Sequence, residues 1–119
     1  LFCATPMVAL TRAIPPKAAF EMLTTGDFIT APRAVELGLV NRVVPAADLE
    51  AETMRLADSI AAKPPQVIRM GKRAFHDQLG RGTAAAYAAT AQVMCTNMAL
   101  PETVEGIGAF LEKRPPNWA

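Results

Sequence analysis

"TTGDFITAPRAVELGLVNRVVP" (residues 24–45) carries more punctuation than a helix–strand connection needs. Gly26 ends one helix candidate, Thr30 can cap the next, and Pro32 is tolerated in its first turn. Gly38 suits the left-handed residue just past a helix end. "LVNRVVP" (39–45) then has strand composition, with Val40, Val43 and Val44 around polar Asn41 and Arg42. A lone strand cannot satisfy its ladder hydrogen bonds. A strand near 39–44 in an otherwise helical chain therefore requires an upstream sheet or another subunit. Its near-continuous valines suit cover on both faces.

Outward from this stretch the pattern is helical. Residues 5–13 form a short apolar helix candidate, and Pro15 and Pro16 open a second that stops at Gly26. Asp48 can cap a helix reaching about Lys63, with Leu49, Met54 (or Thr53), Leu56 and Ile60 as its apolar stripe. "KPP" (63–65) breaks the chain. Helices over 66–79, about 83–98 and Pro101 to about Lys113 follow, and "RPPNWA" is an extended tail. The expectation is four to six helices and one strand, with Pro45 dividing two unequal parts (1–45 and 46–119).

At 119 residues the chain is one domain at most and can bury roughly 65% of its unfolded surface. Apolar residues are 51% and aromatics only 6%, with alanine abundant, which favours close-packed helices over disorder. With 12 basic and 11 acidic residues spread along the chain, there is no electrostatic reason to expect nucleic acid or a membrane surface. "GTAAAYAATAQVMCTNMALP" (82–101) has no charge, but its Ala and Thr content, with Gln92 and Asn97, makes it too weakly apolar to span a bilayer. It reads as a helix buried by protein. Cys3 and Cys95 form no CxxC or His/Cys cluster, so neither a disulfide framework nor a metal site is expected, and a cytoplasmic location follows. "LFCATPMVAL" lacks the basic start of a secretory signal. A beginning at Leu1 in an apolar run, with the first methionine at Met7, reads as the interior of a longer chain.

No catalytic constellation emerges from the residues alone. His76 shares a face with Arg69, Lys72 and Arg73, which reads as a solvated basic face or a phosphate-contacting one. As a general base it would need a partner that Asp77, next in sequence, cannot be. Glu21, Asp27 and Glu36 could pair only through tertiary contact, and otherwise serve helix solubility and capping. Ser59 lies mid-helix without a nucleophile elbow. Cys3 reads as a small buried thiol rather than a nucleophile. "GIGAF" (106–110) follows a helix start and not a strand, so close helix approach at Gly106 and Gly108 is preferred to a dinucleotide loop.

Three stretches add a family resemblance. "AFEMLTTGDFITAPRAVELGLVNRVVPAADL" (19–49), "AAKPPQVIRMGKRAF" (61–75) and "EGIGAFLEKRPPNW" (105–118) resemble, in order, segments of the crotonase (enoyl-CoA hydratase/isomerase) superfamily. The last matches its C-terminal E-G-x-x-A-F-x-E-K-R pattern. The resemblance implies the mainly α, helical C-terminal part of the crotonase (ClpP/crotonase-like) fold, with the strand near 39–44 belonging to a core built upstream. It implies that 1–45 end a β/α core and that 46–119 form a helical domain that makes a trimer (or dimer of trimers) and closes the acyl-CoA site. The implied parent is an enoyl-CoA hydratase/isomerase-type enzyme of fatty-acid metabolism, a lyase or isomerase, acting on a coenzyme A thioester with no further cofactor. Its acid/base glutamates and oxyanion amides would lie upstream, so no catalytic residue is assigned here and the chain alone should be inactive. "CATPMVA" (3–9) stands where typical hydratases have a glycine-rich loop, a departure similar to the enoyl-CoA hydratase domain-containing protein 3-like subgroup. Phe110 and Lys113 match the aromatic and lysine that in hydratases contact the adenosine end of coenzyme A. Three residues apart on one helix, they would share a face. Ordinary packing of Phe110 and helix-end charge for Lys113 is the competing reading. The alternative function is a non-catalytic helical interaction module descended from the family.

Overall fold

The computed structural model describes Phe2 and residues 4–118. Among them run seven α-helices: α1 Pro6–Ala13, α2 Pro16–Thr25, α3 Ala31–Glu36, α4 Leu49–Ala61, α5 Pro65–Gln78, α6 Thr83–Met98 and α7 Pro101–Glu112. A single 3-10 turn at Ala46–Asp48 leads into α4. The count exceeds the expected four to six, although every helix falls on a stretch whose start and stop signals the sequence carries. The chain divides into two compact units, one ending at Glu52 and one beginning at Thr53.

In the first unit α1 packs against α2. Ile14, extended at φ −129° and ψ 164° ahead of Pro15, ends α1 and is buried with Ala19 and Ala34. α2 stops at Gly26, whose φ of +73° is the left-handed value only glycine takes without penalty. Thr30 caps α3 as expected, its Oγ1 accepting from the Arg33 N–H at 3.3 Å. α3 then closes on Gly38, at φ +80°: the Gly38 N–H donates to the Val35 carbonyl at 2.9 Å and the Leu39 N–H to the Ala34 carbonyl at 2.9 Å. This is the bond pair of a Schellman closure.

The mainly α class holds, but the strand expected near 39–44 is not formed. Residues 39–45 are bends and irregular chain, and no strand occurs among the described residues. The amides of Leu39 and Val40 are drawn back to the Ala34 carbonyl, at 2.9 and 3.4 Å, so two donors that a ladder would use are spent on the helix end. The β-branched composition is real, but without a neighbouring strand it has nothing to pair with. Arg42 instead forms an ion pair with Glu52.

In the second unit α5 packs on α6 and α6 on α7. Pro65 and Pro101 each open their helix at its first turn, where a missing N–H costs nothing. The Thr103 hydroxyl donates to the Asn97 carbonyl at 2.7 Å and so ties the start of α7 to the end of α6. Ala109 is the buried apolar residue of α7. α6 turns Ala86, Ala89, Val93 and Asn97 to its less exposed side, while Tyr87, Met94 and Met98 on one stripe and Ala84, Ala88 and Cys95 on another remain exposed. The expectation that protein covers this uncharged helix on most faces is not met among the described residues, since one side is half-buried and no residue of α6 is buried. Ile14, Ala19, Ala34 and Ala109 make up the buried apolar set among the described residues.

Candidate functional site

The most heavily constructed local geometry is the C-terminal end of α7. Lys113, the residue after the helix, is left-handed at φ 55° and ψ 38°, and no other non-glycine residue among those described has positive φ. Its N–H donates to the Phe110 carbonyl at 3.3 Å, and the Arg114 N–H reaches the Ala109 carbonyl at 3.0 Å, a second Schellman closure with lysine where glycine is usual. A left-handed non-glycine residue costs about 1–2 kcal/mol. The surroundings that hold it there run back along the helix. Arg114 Nη1 and Nη2 donate to Glu105 Oε1 and Oε2 at 2.6 and 3.0 Å, a bidentate pair, and Arg114 Nε donates to Glu112 Oε2 at 2.6 Å. Pro115 and Pro116 keep the tail extended, which returns the Asn117 N–H to Glu105 Oε1 at 2.7 Å. Beyond it the Trp118 ring lies over Gly106. A Cβ built on Gly106 would stand 3.2 Å from Cη2 and 3.6 Å from Cζ3, so a side chain here would press the indole outward by a few tenths of an ångström.

The hydrogen bonds from Arg114, and then the Asn117 N–H, hold the Glu105 carboxyl at about 2, well below the usual carboxylate range, against a small opposing effect of burial. Hydrogen bonds to Glu105 and then Glu112 push the Arg114 guanidinium still higher. The side chains are 27% and 40% exposed, so solvent screens the pair, and its main effect is geometric.

Phe110 is 81% exposed on α7, and Lys113 is exposed just past the helix end. Lys113 lies just past the end of α7, in the left-handed turn, so the helical spacing that was expected to align it with Phe110 ends one residue before it. Lys113 makes no side-chain hydrogen bond or ion pair among the described residues, whereas Arg114 has Nε and both terminal nitrogens on carboxylates. Gly106 meets the tail's tryptophan rather than another helix, and nothing lies within 4 Å of a Cβ built on Gly108, which corrects the helix-approach expectation for both.

The other candidates are placed as follows. His76 is exposed and meets Phe75 edge-on, with ring centroids 5.3 Å apart. Arg69, Arg73 and Asp77 line a groove of about 500 Å³ that also takes in Val93 of α6. Glu21 and Asp27 come to one cavity of about 280 Å³ with Arg33, whose guanidinium is held by Glu36 at 2.7 Å. The Ser59 hydroxyl donates to the Leu56 carbonyl at 2.7 Å within α4. Cys3 lies outside the described residues. Sequence reasoning missed Glu105, Arg114 and Trp118. Nine residues separate the ion pair across a helix end, a spacing that no helical periodicity reveals, although the Pro115–Pro116 pair did mark the tail as extended.

Residues 2–119 match the enoyl-CoA hydratase/isomerase family model. Human mitochondrial enoyl-CoA hydratase domain-containing protein 3 is 50% identical over 119 residues, which is all of this chain and 39% of the relative. An enoyl-CoA hydratase of Mycobacterium tuberculosis is 33% identical over 111 residues, 93% of this chain and 42% of its own length. Among solved structures, an enoyl-CoA hydratase of Mycobacterium smegmatis superposes with a TM-score of 0.95 at 48% identity, covering 99% of this chain and 46% of that one. The human domain-containing protein 3 structure superposes at 0.93 with 50% identity, covering 99% and 47%. The chain thus spans about two-fifths of the length of the curated relatives it matches. The cytoplasmic expectation is overturned, since the human, mouse and rat relatives are named as mitochondrial. Cysteine content separates reducing from oxidising compartments and cannot distinguish one reducing compartment from another.

Proposed function

The chain belongs to the enoyl-CoA hydratase/isomerase family, and from that premise we propose that it serves as the C-terminal part of an acyl-CoA enzyme of fatty-acid metabolism, a hydratase (lyase) or isomerase. Its own tasks are to close the coenzyme A site and to supply subunit contacts. The observation that carries this reading is the helix end at Lys113. A backbone position that favours glycine holds a lysine with no internal partner among the described residues, three residues after an exposed phenylalanine, on a support built from Glu105, Arg114 and the tail. Strain of this kind points to use of the side chain.

In this role Phe110 packs against the adenine and Lys113 donates a charge-assisted hydrogen bond to the ribose phosphate. The carboxylates that move protons and the amides that hold the enolate oxygen belong to residues outside this chain, which alone is inactive on enoyl thioesters. Residues 1–45 finish the β/α core, and 46–119 form the helical assembly domain. The two exposed stripes of α6 support self-association, as a trimer or a dimer of trimers. The test is calorimetric titration of the full-length protein. Lys113→Ala should weaken binding of a coenzyme A thioester by about 1–2 kcal/mol and leave that of a thioester lacking the ribose phosphate nearly unchanged. Equal losses for both ligands would leave Lys113 as a helix-end charge only.

A further inference from the structure

The side chain of Lys113 is unpartnered among the described residues, so the backbone alone sets the direction in which it leaves the chain, and that backbone is set by what flanks it. On the helix side the Lys113 N–H is held by the Phe110 carbonyl. On the tail side Arg114 is fixed at three nitrogens, two of them on Glu105, and the Asn117 N–H is fixed on the same carboxylate. Between those two attachments stand Pro115 and Pro116, which transmit position because their φ cannot vary. Glu105 therefore makes three hydrogen bonds to the segment after Lys113 and none to Lys113 itself. By engaging Arg114 it also removes the neighbouring cation from competition for an anion.

We propose that Glu105 is a positioning residue for phosphate recognition: by gripping Arg114 and the Asn117 N–H it holds Lys113 in the left-handed turn from which its ammonium meets the ribose phosphate of coenzyme A. This rests on the coenzyme A reading of Lys113. The Glu105 carboxyl, held at about 2, remains ionised at neutral pH, so the grip is permanent rather than switched.

The test is a double-mutant cycle in the full-length protein, titrated with a coenzyme A thioester and with the same thioester lacking the ribose phosphate. Glu105→Gln keeps the side-chain size and removes the charge. It should weaken the phosphorylated ligand about fivefold, the other by less than about twofold, and have almost no further effect in a Lys113→Ala background. Asn117→Pro removes one N–H and leaves both charged side chains in place, and should show the same ligand pattern at smaller amplitude. It provides the answer if Glu105→Gln does not fold. If Glu105→Gln or Asn117→Pro weakens both ligands alike, or adds its full effect to Lys113→Ala, Glu105 is structural only and the proposal is overturned, while the reading of Lys113 survives. If Lys113→Ala itself does not discriminate the ligands, the coenzyme A reading fails and the positioning role falls with it.

Discussion

Replacing Lys113 by glycine should stabilise the protein while it weakens coenzyme A binding. Lys113 sits at φ 55° and ψ 38°, where a residue with a Cβ costs about 1–2 kcal/mol relative to the right-handed region. Glycine removes that cost. It also makes the unfolded chain more flexible, which takes back about 0.4–1 kcal/mol. No internal side-chain contact is lost, because the lysine makes none among the described residues, and exposed helix-end charge contributes only about 0.3–1 kcal/mol. The balance at the middle of these ranges is a gain of about 0.2 kcal/mol, or a Tm rise of about 1 °C for a chain of this size. Lys113→Ala keeps the strain and gains nothing. Calorimetric melts of wild type, Lys113→Gly and Lys113→Ala measure the difference, and the glycine variant should lie above the alanine variant by about 1 kcal/mol. A glycine variant no more stable than the alanine variant would mean that the turn is unstrained, and the inference from strain to side-chain use would fall.

The two helical glycines of α7 should respond oppositely. Gly108→Ala enters open space and should stabilise by about 0.5–1 kcal/mol. Gly106→Ala should instead be neutral or destabilising, because its methyl meets Trp118 at 3.2 Å and displaces the tail, and urea titrations followed by the emission of the sole tryptophan resolve the pair. The pH dependence follows from Glu105, whose carboxyl is lowered from 4.5 to about 2 in the folded protein. A depressed carboxyl stabilises fully above its unfolded value and loses that contribution as pH falls through the folded one. Stability should therefore decline between about pH 4.5 and 2, and Glu105→Gln should flatten that part of the profile. Self-association should depend on α6: Met94→Glu places a charge on an exposed apolar stripe and should lower the association state in sedimentation equilibrium, with Gln92→Glu as a control. An unchanged association state would remove α6 from the interface.

What was legible in the sequence follows physical range. Pro16, Gly26, Thr30, Gly38 and Pro101 restrict their own backbone or bond within four residues, and each marks a helix end where the structure has one. The strand was misjudged because pairing is not local. Valine composition records a preference for strand, but the partner must come from elsewhere, and here the first amides of the segment fold back on α3. α6 was legible as an apolar helix, yet its apolar residues surround it, so no sequence pattern could say which side is covered. Phe110 and Lys113 came from the family resemblance, not from periodicity. The geometry that gives them their setting was hidden, since a lysine in a left-handed turn carries no compositional mark and Glu105 and Arg114 lie on opposite sides of a helix end.

The most direct test is a crystal structure of the full-length protein with a coenzyme A thioester bound. The expected result is Lys113 Nζ about 2.7–2.9 Å from an oxygen of the ribose phosphate, the Phe110 ring against the adenine, and the Glu105–Arg114 pair intact. A nucleotide bound away from the end of α7, with Lys113 in solvent, would contradict the site assigned to this chain.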